Sequence, residues 1–131
     1  MKLWELLIAH NHWFTISFGS KSIKLCARCT GVILGFISLS ILSINLNLTF
    51  FFSLPITYQI ILCILLAIPV ILDWVTQSWR IRVSNNKLRL ITGFSEGVGI
   101  SLLALIAIPL FYKILIIVSI AGLTIGISML K

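Results

Sequence analysis

From Thr30 to Leu72 the chain carries no Lys, Arg, Asp, Glu or His, a run of 43 residues. A membrane-crossing helix needs about 20 consecutive apolar residues, so this run is long enough to cross a bilayer twice around a turn. A second apolar stretch follows Glu96 and is interrupted only by Lys113. Within these stretches, segments such as Val32-Ile33-Leu34 and Ile60-Ile61-Leu62-Cys63-Ile64-Leu65-Leu66 do not alternate in polarity, as the strands of a membrane barrel would. Unpaired backbone is costly in lipid, so the spans are expected to be helices.

The pattern predicts spans over about 30–49, 56–75, 91–110 and 113–130. The first turn falls within Asn45–Pro55, where Asn45, Asn47 and Thr49 supply polar groups and Pro55 suits a helix start. The second falls at Pro109–Lys113. Before the first span, residues 1–29 form an N-terminal segment with two signals of its own. Leu3, Trp4, Leu7 and Ile8 make one apolar stripe, which predicts a short interfacial helix over residues 1–9. From Phe14 to Leu25 apolar and polar residues alternate on both sides of Gly19-Ser20, which predicts a β-hairpin with Phe14 opposite Leu25 and Ile16 opposite Ile23. The expected fold is therefore a single domain over 1–131: an all-α multi-pass membrane protein of about four transmembrane helices, with a short interfacial helix and a β-hairpin at its N-terminus.

Composition agrees with this: 60% of the 131 residues are hydrophobic and 10% are charged, against about 25% charged in soluble domains. The beginning of the chain does not read as a signal peptide, because Glu5 interrupts a short apolar core and His10, His12 and Trp13 stand where small residues would be expected. The net charge of +7 is distributed unevenly. Lys2, Lys21, Lys24, Arg28, Arg80, Arg82, Lys87, Arg89 and Lys131 fall on one side of the predicted topology, and Lys113 alone falls on the other. The positive-inside rule then places both termini in the cytoplasm of a cell-membrane protein. The same charges could gather anionic headgroups. The basic cluster from Arg80 to Arg89 is too short for a nucleic-acid-binding face.

Thr30-Gly31 with Gly35 and Thr92-Gly93 with Gly97 open spans one and three alike. Glycines four apart share a helix face and let two membrane helices approach closely, so these spans are candidates to pack together.

Three groups of residues could carry chemistry. Cys26 and Cys29 are three apart, so both thiols can face one metal ion at the start of a span. The hairpin returns His12, with His10 nearby, to the level of Cys26 as a further ligand; the alternative is an interfacial histidine beside Trp13. Asp73 ends span two, with Gln77 and Arg80 one and two turns further along the same face. An acid at membrane depth needs a partner, so it is either a functional group or a structural ion pair with Arg28, Arg80 or Arg89. Glu96 has the same two readings. Ser84-Asn85-Asn86 suits a turn and helix cap before Lys87-Leu88-Arg89. Cys63, mid-span, reads as a buried small hydrophobe.

Three blocks, Leu25-Cys26-Ala27-Arg28-Cys29-Thr30-Gly31 with Gly35, Asp73 with Thr76-Gln77, and Arg82 through Gly93, resemble the bacterial and archaeal predicted membrane proteins of domain of unknown function 2085. The resemblance covers about residues 10–100. It implies a small multi-pass protein in which a Cys-His pair precedes the C-A-R-C-T-G block. Here His12 matches the histidine and Asn11 stands at the cysteine position, which removes one thiolate from a Cys₃His set. The family brings no activity with it.

Two functions follow as expectations. The first is a metal site, with zinc favoured by its mixed ligands, formed by His12, Cys26, Cys29 and Asp73 at the cytoplasmic face. The second is a membrane enzyme or carrier that holds a lipid or isoprenoid-phosphate headgroup through Arg28, Gln77, Arg80, Asn85 and Arg89. The lipid bilayer is the expected partner, with self-association or membership of a larger membrane complex open. A thiol redox role for Cys26 and Cys29 has less behind it, since neither a third nearby cysteine nor a thioredoxin-like pattern accompanies them. The chain also lacks a P-loop, a dinucleotide fingerprint and a nucleophile elbow.

Overall fold

The structure, a computed structural model, describes residues 13–130, with side chains from Thr15 onward. The interfacial helix expected over residues 1–9 and both histidines lie outside the described residues. Strands β1 (Trp13–Phe18) and β2 (Lys21–Cys26) lead into helix α1 (Ala27–Asn45), a short helix α2 (Thr49–Ser53), and helices α3 (Ile56–Ser78), α4 (Asn86–Leu105) and α5 (Leu110–Met129). Among the described residues, α1, α3, α4 and α5 are long and apolar enough to cross a membrane. At 1.5 Å per residue they are about 28 to 35 Å long, the thickness of a bilayer core. Their outer faces carry exposed Ile, Leu, Val and Phe side chains, most densely on α5, and these suit contact with lipid.

The hairpin has the expected register, with Phe14 opposite Leu25 and Ile16 opposite Ile23, and Trp13 pairs with Cys26. Gly19 opens its turn at φ +60°, a conformation that costs glycine little. Helix boundaries differ from expectation at the polar ends. Helix α1 starts at Ala27 instead of residue 30, because the extended Cys26 serves as its N-cap and β2 runs straight into it. Helix α4 starts at Asn86 instead of residue 91, because the Asn85 side chain accepts a hydrogen bond from the Leu88 N–H at 3.0 Å and caps the helix early. The loop between the first two spans holds α2, whose Phe51 packs into the apolar core with Cys63, Leu102, Leu103 and Ile106.

Helix α4 is the centre of the bundle, with α1 against one side and α3 against another; α5 packs on α3. The contact of α1 with α4 depends on the paired glycines read from the sequence. A Cβ on Gly31 would strike the Leu90 carbonyl, and one on Gly35 the Phe94 carbonyl. From the other side, Gly93 meets the Arg28 carbonyl and Gly97 the Val32 carbonyl. All four obstacles are backbone, so no rotamer change could admit a methyl group. Glycine is required here by the close approach of two helix backbones.

Pro69 lies inside α3 and removes one backbone N–H from it. In the same turn the Ser95 hydroxyl of α4 donates to the Leu66 carbonyl at 2.8 Å, which ties the interrupted turn to the central helix. At the end of the bundle away from the hairpin, Lys113 Nζ donates to the Ala104 carbonyl at 2.6 Å in the last turn of α4. At the hairpin end the last turn of α5 returns to α3, where Ser78 and Trp79 donate to the Ser128 and Ile127 carbonyls, each at 3.2 Å.

Candidate functional site

The hairpin end of the bundle collects the polar groups. Asp73, one turn and a half before the end of α3, is 1% exposed. Arg28, in the first turn of α1, donates from Nη2 to Asp73 Oδ2 at 2.5 Å. Arg82, in the loop after α3, donates from Nη2 to Asp73 Oδ1 at 3.0 Å. Gln77 Nε2 donates to Asp73 Oδ2 at 2.7 Å, and Gln77 Oε1 in turn accepts from Arg89 of α4. One network thus joins α1, α3, the loop and α4. Taking such charges out of water costs several kcal/mol per ion, and only good geometry offsets this. The glycine contact supplies part of that geometry, since Gly93 sits against the backbone of Arg28 itself.

The sequence spacing put Arg80 on the face of Asp73, and the structure corrects this. Helix α3 stops at Ser78, with Trp79 as C-cap and Arg80 in the left-handed region at φ +54°. The Arg80 N–H bonds to the Gln77 carbonyl and the Ile81 N–H to the Thr76 carbonyl, each at 3.0 Å, which is a Schellman ending. That turn carries Arg80 off the helix face into solvent and brings Arg82 back to the acid. Arg82 was missed as a partner for that reason. Asn85, expected both as a helix cap and as a ligand-binding residue, caps α4.

Gln77, Arg80, Arg82, Val83, Ser84 and Arg89 line one opening. Two of its side chains are buried with polar atoms unpaired among the described residues: the Ser84 hydroxyl, 2% exposed, and Nε of Arg89, 6% exposed. Ser84 was read from the sequence only as a turn residue. Arg89 is the more telling of the two, since its hydrogen-bond partner is the neutral Gln77 and no ion pair reaches it among the described residues. Two arginines, Arg28 and Arg82, pair with the one carboxylate, and Arg89 is joined to it only through Gln77.

Cys26 and Cys29 stand at the start of α1, half-buried and exposed respectively, and both are free thiols. Burial pushes the Cys26 thiol up, but the backbone N–H groups of Cys29 and Arg28, the Cys29 thiol and the Arg28 charge outweigh it, and the net shift is below the ordinary value. Among the described residues no three His, Cys, Asp or Glu side chains form a group able to hold a metal ion. Asp73, expected as a fourth ligand, has both carboxylate oxygens engaged by Arg28, Arg82 and Gln77. The two thiols alone fall short of the four ligands of a structural zinc site, and His12 lies outside the described residues. Cys63 is buried in the apolar core.

The profile of the family described as "Predicted membrane protein (DUF2085)" matches residues 10–104, which includes the hairpin, α1, the Asp73 network and most of α4. The chain belongs to this family. It is also similar to an "Uncharacterized protein" of Methanothermobacter thermautotrophicus, 35% identical over 92 residues, 68% of this chain and 76% of that one. No solved structure matches the chain. The matched region stops just before α5 and contains every residue of the arginine network.

Proposed function

We propose that this membrane protein binds an anionic, phosphate-bearing headgroup at the hairpin end of its bundle, through Arg80, Arg82, Ser84 and Arg89. The buried Arg89 carries this reading. A guanidinium held 6% exposed against a neutral amide is costly unless an anion completes its surroundings. The adjoining Ser84 hydroxyl and the exposed Arg80 and Arg82 supply the further donors that a phosphate with several oxygens can use. Asp73 and Arg28 hold the frame, and Gln77 orients Arg89. The excess of basic residues at this end favours the cytoplasmic leaflet, where anionic lipids also raise the local concentration of such a ligand.

The test measures binding of dihexanoyl phosphatidic acid and of inorganic phosphate to the detergent-solubilised full chain. The parent should bind the lipid, and Arg80→Ala with Ser84→Ala should weaken it at least about tenfold, while Lys87→Ala, outside the opening, should not. Phosphate binding as tightly as the lipid would make the site a free-anion site. Equal lipid binding by parent and double variant would refute the reading.

A second reading keeps Cys26 and Cys29 as ligands of a zinc site in which His12 is the third. It is supported by the lowered Cys26 thiol, which favours the thiolate a metal requires, and by the pairing of Trp13 with Cys26. Zinc content that is equal in the parent and in a Cys26→Ser/Cys29→Ser variant would exclude it.

A further inference from the structure

A separate cavity of about 290 Å³ opens between α3, α4 and α5, within the membrane-spanning part of the bundle. That is the lower end of the range for small-molecule sites, roughly 300 to 1,000 Å³. It follows α3 from Cys63 to Trp74, about 16 Å along the helix at 1.5 Å per residue. Most of its wall is apolar, with Ile64, Val70, Leu103 and Ile117 among the lining side chains. Two charged residues break that wall: Arg28 and Glu96.

Glu96 is ten residues into α4, about 15 Å from the start of the helix and so near the middle of a bilayer core. Among the described residues it makes no side-chain hydrogen bond and no ion pair, although Arg28 lines the same cavity. Arg28 spends its Nη2 on Asp73 and leaves Nε buried and unpaired. Thr124, the hydroxyl in the lining, is already bonded to the Ile120 carbonyl at 2.7 Å. An acid and a guanidinium, each with unused bonding capacity, therefore share one mainly apolar slot. Ionisable groups at such depth mark ligand or ion paths more often than they serve packing.

The chemistry of the pair selects the ligand. Arg28 only donates. Glu96 accepts when ionised and can donate when protonated. A phosphate would oppose Glu96, and an ammonium would oppose Arg28. A hydroxyl both donates and accepts, so it satisfies the two at once in either protonation state of the acid. We infer that the intramembrane cavity binds an apolar-chain molecule ending in a hydroxyl group, a long-chain or prenyl alcohol, with the hydroxyl between Glu96 and Arg28 and the chain along α3. The site is distinct from the phosphate opening and uses none of Arg80, Ser84 or Arg89, so either assignment can fail without the other.

The test uses the full chain in phosphatidylcholine nanodiscs and a dodecanol carrying a mid-chain diazirine, with the dodecane and dodecanoic acid counterparts as controls. Photolabelling should fall on the peptides that contain Ile64–Trp74 and Ile116–Thr124, compete with plain dodecanol, and exceed labelling by either control at least about tenfold. Glu96→Leu should abolish that preference, and Glu96→Gln, which keeps an accepting oxygen, should retain most of it. Equal labelling of the parent by alcohol and alkane would mean that the cavity takes acyl chains without selection, and would overturn the assignment. So would an undiminished preference in Glu96→Leu. Should that variant not fold, the alcohol-to-alkane ratio of the parent decides alone.

Discussion

Arg28 and Asp73 meet at 2.5 Å across 45 residues of sequence, joining the first turn of one span to the last turns of the next. Asp73 is 1% exposed, so removing it leaves a guanidinium without its counter-charge in a low-dielectric place. Asp73→Ala should destabilise the protein by about 3 to 5 kcal/mol. Combining Arg28→Met with Asp73→Leu should recover most of that loss, because well-packed apolar pairs often equal buried ion pairs. Reversible unfolding in mixed micelles, arranged as a double-mutant cycle, measures the coupling.

The glycines offer a graded comparison. Gly35→Ala and Gly97→Ala place a methyl group on the backbone of the opposing helix and should each cost at least about 1 to 3 kcal/mol. Gly122→Ala and Gly126→Ala in α5 meet no atom within 4 Å and should be tolerated. Melting temperatures of the four variants in one detergent check this ordering. Equal losses at all four positions would contradict the close α1–α4 contact.

Arg80 occupies the left-handed position of a Schellman ending, where a side chain costs roughly 1 to 2 kcal/mol relative to glycine. Arg80→Gly should therefore stabilise the fold while weakening binding of dihexanoyl phosphatidic acid. Opposite signs in a melting curve and a titration of one variant would separate the conformational role of this position from its charge.

Cys26 has a thiol pKa below the ordinary value of 9.0. Its alkylation by iodoacetamide should reach half its maximal rate below pH 9.0, since the thiolate is the reacting species. The sign for stability follows by linkage. A group whose pKa is lower in the folded state stabilises the fold above its unfolded value, and that contribution fades as pH falls through the lowered folded value. Cys26→Ser should therefore flatten the pH dependence of stability on the alkaline side of neutrality and leave the acid limb unchanged.

Orientation is tested in a variant lacking the three native cysteines. Lys87→Cys should be protected from an impermeant thiol reagent in intact cells, and Ser53→Cys should be labelled, because the positive-inside rule puts the Arg80 to Arg89 loop in the cytoplasm. Both positions are exposed at opposite ends of the bundle. The reverse pattern would invert the topology.

The amino-acid sequence by itself determined the number and nature of the spans, the hairpin register and the helix pair that packs through glycine. These are consequences of periodicity and residue size: a charge-free run of 43 residues has few alternatives to membrane helices, alternation around Gly19 fixes strand pairing, and glycines four apart must share a face. Tertiary structure alone decided which cations meet Asp73. That choice depends on where α3 ends, and the left-handed residue that ends it is an arginine, which carries no sequence signal for such a turn. It also decided that Glu96 and Arg28 share a cavity, because the two belong to different helices and come together only when α1 closes on α4. Local pattern encodes what each helix buries. The meeting of side chains from separate helices is set by how closely their backbones approach.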